Sequence, residues 1–509
     1  MNIFKSSTVF KRKEVDSYIF FICNSQKKEL SKIIETICKI LDINSVPKKL
    51  FDQNVENEFE RVLYTDKYKV YFYSIGKTNK CNNNSLYLNF GKIGKQMSKI
   101  TGKKCVYLIG TKDNVIKNCV ASYILGSYNF NYFKTNKTNI YNETYFYHYK
   151  RNNRPIIDMA IYEATIQNEL RNLINTPANI LNSKNYLYYI RKNLPENVNL
   201  RVLNKKDLKR IGCNLIVGVN EGSSNEPYLL ILEYKNVDYP SQKDESVVLV
   251  GKGVMFDSGG YNIKSHNMHE MKNDMAGSAI VYGIFKLLSK MNVKGKFVGL
   301  LPLVENMVNS DAYKPGDIIK SYSGKTVEII NTDAEGRLIM ADALSYAKNF
   351  NPYLCIDIAT LTGQAGSIFD NKSSVVIGNN NEYIQKMIEI GMDNNEKLWE
   401  LPMWNEYITS TKSKIADYRN DAPESKASTI YAGAFLSNFV PKNVKWLHLD
   451  IAGVDMLKND SQYRYSGATG EILRTLFEFL YNVGKPRFPL RPHPTRGNLG
   501  FPRPLPLKK

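Results

Sequence analysis

From Leu200 onward, short apolar runs alternate with helical patterns: Ser246 to Val250, Met275 to Met291, Lys296 to Leu301, Val327 to Ile330, Leu338 to Phe350 and Leu354 to Ile358. Alternation of this kind constrains the chain to a largely parallel sheet covered by helices on both faces. In such folds chemistry collects where the chain leaves a strand's carboxyl end for a helix. One such junction, Asn331–Leu338, reads Asn-Thr-Asp-Ala-Glu-Gly-Arg-Leu. It sets Asp333 and Glu335 two residues apart, with Arg337 two further on. Paired carboxylates suit hard divalent cations, and the arginine suits an oxyanion or a bound anion.

At 509 residues the chain exceeds one ordinary core, so two or three domains are expected. Residues 1–155 mix β-like runs (Val70–Tyr73, Cys105–Ile109) with helical stretches such as Glu29 to Leu41, as a smaller N-terminal α/β domain would. The Tyr/Phe-rich segment from Tyr128 to Tyr149 reads as strand rather than as a base-stacking surface. A helical pattern from Ile156 to Ile174 stops before Asn175-Thr176-Pro177, because a proline disfavours helix in the residue preceding it. Residues 156–199 are thus expected to be a linker helix and the start of a larger unit. Residues 200–484 would form that unit, with a mostly parallel mixed sheet sandwiched by helices. Residues 485–509 hold seven prolines and seven Lys/Arg without an acid, and a folded tail is not expected there.

Seven cysteines lie scattered without CxxC spacing, which points to free thiols in a reducing, cytoplasmic compartment. No run approaches the length of a membrane span, and acidic Glu14 and Asp16 precede the short apolar patch Tyr18–Cys23, so no secretory signal is read. The formal charge of +20 would favour nucleic acid or anionic surfaces, but no recognition motif accompanies it. A lysine-rich solvated exterior is the simpler reading.

Two further segments bring chemistry. Val250–Lys264 leaves a strand and supplies Lys252, Asp257 and Lys264 among four glycines that let the backbone turn close to a ligand. Met271–Ala279 places Asp274 at the start of a helix, where the dipole favours a carboxylate. Alone, Asp274 reads as a helix cap, and either lysine as a surface residue. The glycine-rich stretches lack the GxxxxGK[ST] pattern of a phosphate loop.

Together these segments resemble, in order and approximate spacing, the leucyl aminopeptidases, the two-metal cytosol-aminopeptidase family. The octet matches that family's signature letter for letter. The resemblance extends to Asn175–Asn179, Asp357–Gly363 and His448–Gly453 and covers roughly residues 165–480. It implies that Asp257 and Glu335 bridge two divalent ions (zinc, manganese or cobalt). Asp333 would complete one site, and Lys252 with Asp274 the other; Lys252 must then be neutral. Lys264 would stabilise the tetrahedral oxyanion. Arg337 would hold a bicarbonate ion that carries the proton from attacking water to leaving amine, with Leu361 beside it as a backbone contact. Met271, Thr360, Gly363 and Ala452 fall where the family builds the pocket for the first side chain. Met275, near Met271, extends a soft apolar wall. The implied reaction is release of bulky apolar N-terminal residues from short peptides by a hydroxide activated between the metals. The implied assembly is a homohexamer.

Two departures stand out. His266 and His269 occupy the loop before Asp274, where the family carries small and acidic residues; they are read as exposed rather than as ligands. Glu471-Ile472-Leu473-Arg474 replaces the usual Gly-Val-Arg after Gly467–Gly470. A ligand-less scaffold relative and an added DNA-binding role are the rival readings. Seven charged residues kept in register argue against the scaffold.

Overall fold

Aromatic-rich stretches such as Ser17–Asn24 and Lys69–Lys77 become strands. The computed structural model describes residues 2–7, 15–24, 35, 37–41, 58–64, 69–77, 83–109, 115–136, 142–148, 151–236, 245–422, 424, 426–461 and 464–483. Among these, β1 (Asn2–Ser7), β2 (Ser17–Asn24), β3 (Glu58–Tyr64), β4 (Lys69–Lys77), β5 (Gly102–Ile109) and β6 (Asn142–Tyr147) form one sheet in the order β1-β6-β5-β2-β4-β3. Every neighbouring pair is parallel except β3 with β4. Helices α1 (Asn83–Met97) and α2 (Ile116–Gly126) cover it. Among the described residues of the Tyr128–Tyr149 run, β6 is strand, while residues 128–136 are turn and loop. There Tyr128 is drawn inward by Arg171, whose guanidinium stacks 3.8 Å from its ring centre, a tertiary contact that overrides strand propensity. Of the helix expected over Glu29 to Leu41, residues 35 and 37–41 are helical and the rest lie outside the described residues, as does the 485–509 tail.

Helix α3 (Arg154–Asn175) begins with proline in its first turn and ends where Thr176 turns extended. Its first half buries Ile157, Ala160 and Ala164 in the N-terminal core, and its second half buries Ile166, Leu170 and Ile174 in the next. The expected linker is therefore a shared buried helix.

The second sheet contains β7 (Val198–Leu203), β8 (Tyr228–Asn236), β9 (Ser246–Gly251), β10 (Gly253–Asp257), β11 (Gly295–Asn306), β14 (Pro352–Ala359), β15 (Ser374–Gly378), β16 (Leu398–Glu400) and β18 (Lys445–Asp450). The order is β16-β15-β18-β14-β9-β11-β8-β7, with β10 also on β11. The centre (β18, β14, β9, β11) is parallel, and β15, β8 and β7 join antiparallel towards the edges. Strand β9 is buried at all its positions, as a strand covered on both faces must be. Val247 and Leu249 enter one core with α4 (Ala276–Lys290); Val248 and Val250 enter the opposite core with α5 (Gly336–Tyr346).

One expected strand does not join this sheet. Of Val327–Ile330, only residues to Glu328 pair, as β13 (Thr326–Glu328) in a three-stranded side sheet with β12 (Ile318–Lys320) and β17 (Tyr418–Arg419). The amides of Ile329 and Ile330 are taken by the Asp317 carbonyl and the Asn420 side chain, so the ladder stops there. The C-terminal departure also has a structural signature. Glu471 pairs with buried Arg464, and Ile472 takes a left-handed φ of 77°, a conformation disfavoured for a β-branched residue.

Candidate metal centre

The parallel strands end along one edge, and each ending delivers a polar group there. Lys252 follows β9, Asp257 closes β10, Asn306 closes β11, Thr360 and Leu361 follow β14, and Asp450 closes β18. Asp274 comes from the turn before α4, and the octet crosses from the side sheet into α5, with Glu335 at the helix's N-cap. Two glycines make this crowding possible. A Cβ on Gly277 would lie 2.1 Å from the Ile358 carbonyl oxygen, so α4 could not approach β14. A Cβ on Gly336 would lie 2.4 Å from Cε of Lys252.

Asp257, Asp274 and Glu335, all buried, bring carboxylate oxygens within 4.8 Å of one another. Lys252 Nζ stands 2.7 Å from Asp274 Oδ1 and 3.0 Å from Glu335 Oε1, and donates to the Thr360 carbonyl at 3.0 Å. Lys264 Nζ stands 2.7 Å from Asp257 Oδ2 and 2.5 Å from Asp333 Oδ1. Four carboxylates thus face two ammonium groups. Buried oxygens Asp274 Oδ2 and Glu335 Oε2 accept no hydrogen bond from the described residues. Such atoms are costly to leave unmatched, and a hard cation is the partner they fit.

Burial, and next the repulsion of Glu335, push the Asp257 carboxyl up to about 6. Burial likewise raises Asp274 and Asp333. Burial acts the same way on Glu335, but Lys252 and Lys264 outweigh it and hold that carboxyl low. For both lysines burial disfavours the ammonium, yet the carboxylates win and raise them above the ordinary lysine value. A divalent ion among the same carboxylates would reverse that balance at Lys252.

Asp274 is not the N-cap of α4: Met275 holds that position without a side-chain bond, and Asp274 Oδ1 accepts Lys252 and the Thr360 hydroxyl (2.7 Å). Arg337, in the first turn of α5, donates Nη1 to the Asn420 carbonyl at 2.7 Å and lies 3.7 Å from Asp421 Oδ1. Its buried Nε has no partner among the described residues, and burial lowers its pKa. The amides of Leu361 and Ala452 donate to Asp450 Oδ1 at 3.0 and 3.2 Å, beside Thr360 and exposed Gly363. Met271 is half-buried. Met275, only 1% exposed, belongs to the main core. His266 and His269 are exposed and stand outside the carboxylate group.

Several contributors escaped the sequence reading. Asn306 Nδ2 donates to Asp257 Oδ1 (2.8 Å) and to the Thr332 carbonyl (2.9 Å), tying β10 to the octet. Asn262 exchanges bonds with Thr332, whose hydroxyl donates to the Gly259 carbonyl at 2.7 Å. Asp450, buried, orients both loops beside Thr360. Thr332 stood inside the octet and Asp450 inside His448–Gly453, but neither spacing revealed a task. Asn306 and Asn420 carried no pattern at all.

A cage of carboxylates and lysines at the carboxyl ends of parallel strands defines the class: metal-dependent hydrolases of α/β architecture. A family model described as the cytosol aminopeptidase family, catalytic domain, matches residues 168–477. The chain belongs to that family, whose members are metal-dependent aminopeptidases. A probable cytosol aminopeptidase of Phytoplasma mali (strain AT) is 36% identical over 72% of this chain and 75% of its own length. One from Wigglesworthia glossinidia brevipalpis is 39% identical over 70% and 72%. With the one from Geobacter sp. (strain M21), 40% identity extends over 61% of this chain but only 62% of that protein. The bottromycin maturation enzyme BotP, solved in complex with Mn, has the same fold, with a TM-score of 0.79 at 24% identity over 92% of this chain and all of that one.

Proposed function

We propose that the protein is a working aminopeptidase that removes N-terminal residues, preferentially bulky apolar ones such as Leu or Met, from short peptides. The observation that carries this reading is the buried group Asp257, Asp274 and Glu335 with its unmatched oxygens. In it Asp257 and Glu335 would serve both of two divalent ions, Asp333 one of them, and a neutral Lys252 with Asp274 the other. The ions, zinc, manganese or cobalt, supply Lewis acidity to water and to the scissile carbonyl once bound.

The chain's own groups do the rest. Lys264, paired with Asp257 and Asp333, would donate to the developing oxyanion, a contact typically worth ~3–4 kcal/mol of barrier. Arg337, whose Nε has no partner among the described residues, would hold a bicarbonate ion through its planar fork, and that ion when bound would supply proton transfer between the attacking water and the leaving amine. Met271, Thr360, Leu361, Gly363 and Ala452 line the pocket for the first side chain, backed by Met275. We further assign residues 1–155 to an N-terminal domain, 156–199 to the shared helix and its exit, and 200–484 to catalysis. A cytoplasmic homohexamer is the expected assembly. No helix among the described residues is long and apolar enough to cross a membrane.

Purified protein is expected to hydrolyse leucine amide with added Mn²⁺, to lose that activity to a chelator, and to lose both metal and activity as Glu335→Ala. Folded, metal-loaded protein inert on several aminoacyl amides would refute the assignment and favour the scaffold.

A further inference from the structure

Asn420 lies outside every motif quoted above, yet it grips the octet from both ends. Its Oδ1 accepts the amides of Ile330 (2.8 Å) and Asn331 (3.2 Å), and its Nδ2 donates to the carbonyls of Asn331 (2.7 Å) and Ala334 (3.3 Å). Its own carbonyl accepts Arg337 Nη1 at 2.7 Å, and its amide donates to the Glu328 carbonyl at 3.0 Å. The side chain is fully buried, and both its lone-pair and its amide-hydrogen capacity are spent on the octet and on Ile330 just before it. The next residue repeats the pattern: Asp421 Oδ2 accepts Asn331 Nδ2 at 2.9 Å while Oδ1 lies 3.7 Å from Arg337. The backbone between Ile330 and Arg337 has no strand partner of its own and carries two carboxylates and a cation that must hold fixed directions.

We propose that Asn420 is a positioning residue: it sets the octet turn that aims Asp333 and Glu335, and its carbonyl fixes the guanidinium of Arg337. The side sheet β12-β13-β17 is then the mount through which the site is held from outside the main sheet. This rests on the metal and anion roles assigned to the octet above. Outer partners of this kind typically carry about 10–100-fold in metal affinity or activity.

The test compares wild type with Asn420→Asp, which keeps shape but turns acceptor oxygens toward the carbonyls of Asn331 and Ala334, and with Asn420→Ser. Asp417→Asn serves as a control in the same segment, because Asp417 bonds Thr326 and not the octet. Mn²⁺ affinity is read by calorimetric titration, and kcat and KM on leucine amide at saturating Mn²⁺. Both Asn420 variants are expected to lose about tenfold or more in Mn²⁺ affinity and in kcat, with KM within about threefold, while Asp417→Asn stays at wild type. A folded variant that keeps wild-type affinity and kcat and shows only a lower melting temperature overturns the proposal. If Asn420→Asp does not fold, Asn420→Ser, which retains an acceptor for the Ile330 amide, decides. Wild type that binds Mn²⁺ but turns over nothing sinks the peptidase reading and leaves the affinity comparison to decide Asn420. Wild type that binds no Mn²⁺ overturns both.

Discussion

Gly336→Ala is the sharpest single perturbation of the proposed centre, because it adds one methyl group against one side chain. Glycine here is not needed for an unusual backbone angle; what it spares is space. The added Cβ would lie 2.4 Å from Cε, 2.6 Å from Nζ and 3.0 Å from Cδ of Lys252. An ordinary carbon contact is about 3.5 Å, so the lysine tip must retreat by about 1 Å. Nζ then leaves Asp274 and Glu335, which now stand 2.7 and 3.0 Å away. Two opposed terms act on stability. Alanine in a helix gains roughly 1 kcal/mol over glycine, and overpacking costs roughly 1–3 kcal/mol. The net loss is therefore at most about 2 kcal/mol, too small to unfold the chain. Function is more exposed, since a misplacement of ~1 Å can cost about 100-fold. The variant is expected to melt a few degrees below wild type while Mn²⁺ affinity and leucine-amide turnover fall by about two orders of magnitude. Both quantities are measured on one preparation, by titration calorimetry and a colorimetric amide assay. Wild-type metal affinity and turnover in a folded Gly336→Ala protein would show that Lys252 is not confined where the structure places it.

Two further outcomes concern stability. Ile472→Gly removes a left-handed β-branched residue, relieving about 1–3 kcal/mol of strain, but also a fully buried side chain worth about 2–5 kcal/mol. Burial wins, so chemical denaturation should show a net loss of about 1–3 kcal/mol, and a stabilised variant would contradict that balance. Asp342, buried in α5, accepts the amides of Leu215, Ile216 and Tyr322, so Asp342→Asn must turn a donor toward a donor and lose about 1–3 kcal/mol. Burial, opposed by those amides, pushes the Asp342 carboxyl up to about 7. A carboxyl raised in the folded state stabilises below its unfolded value of about 4, and that contribution is lost as pH rises toward about 7. The stability gap between wild type and Asp342→Asn should therefore be wider at pH 5 than at pH 8, and a gap that does not change with pH refutes the linkage.

What the sequence determined was the set of parts. Alternation after Leu200 named the layered fold, since a strand such as Ser246–Gly251, apolar at nearly every position, must be covered on both faces. The order of Lys252, Asp257, Lys264, Asp274, Asp333, Glu335 and Arg337 was legible because these side chains sit in short local motifs next to strand ends and helix starts. What lay beyond reach depended on partners far along the chain. Val327–Ile330 looked like a main-sheet strand because periodicity does not say which sheet a strand joins; Tyr418–Arg419, some ninety residues on, recruited it elsewhere. Met275 looked like a pocket wall because an apolar side chain is equally at home in a core, and only packing assigned it there. Asn306, Asn420 and Asp450 were invisible for the same reason. A buried amide or carboxylate that organises a loop has no periodicity, and its value comes from backbone groups that tertiary structure alone brings within hydrogen-bonding distance.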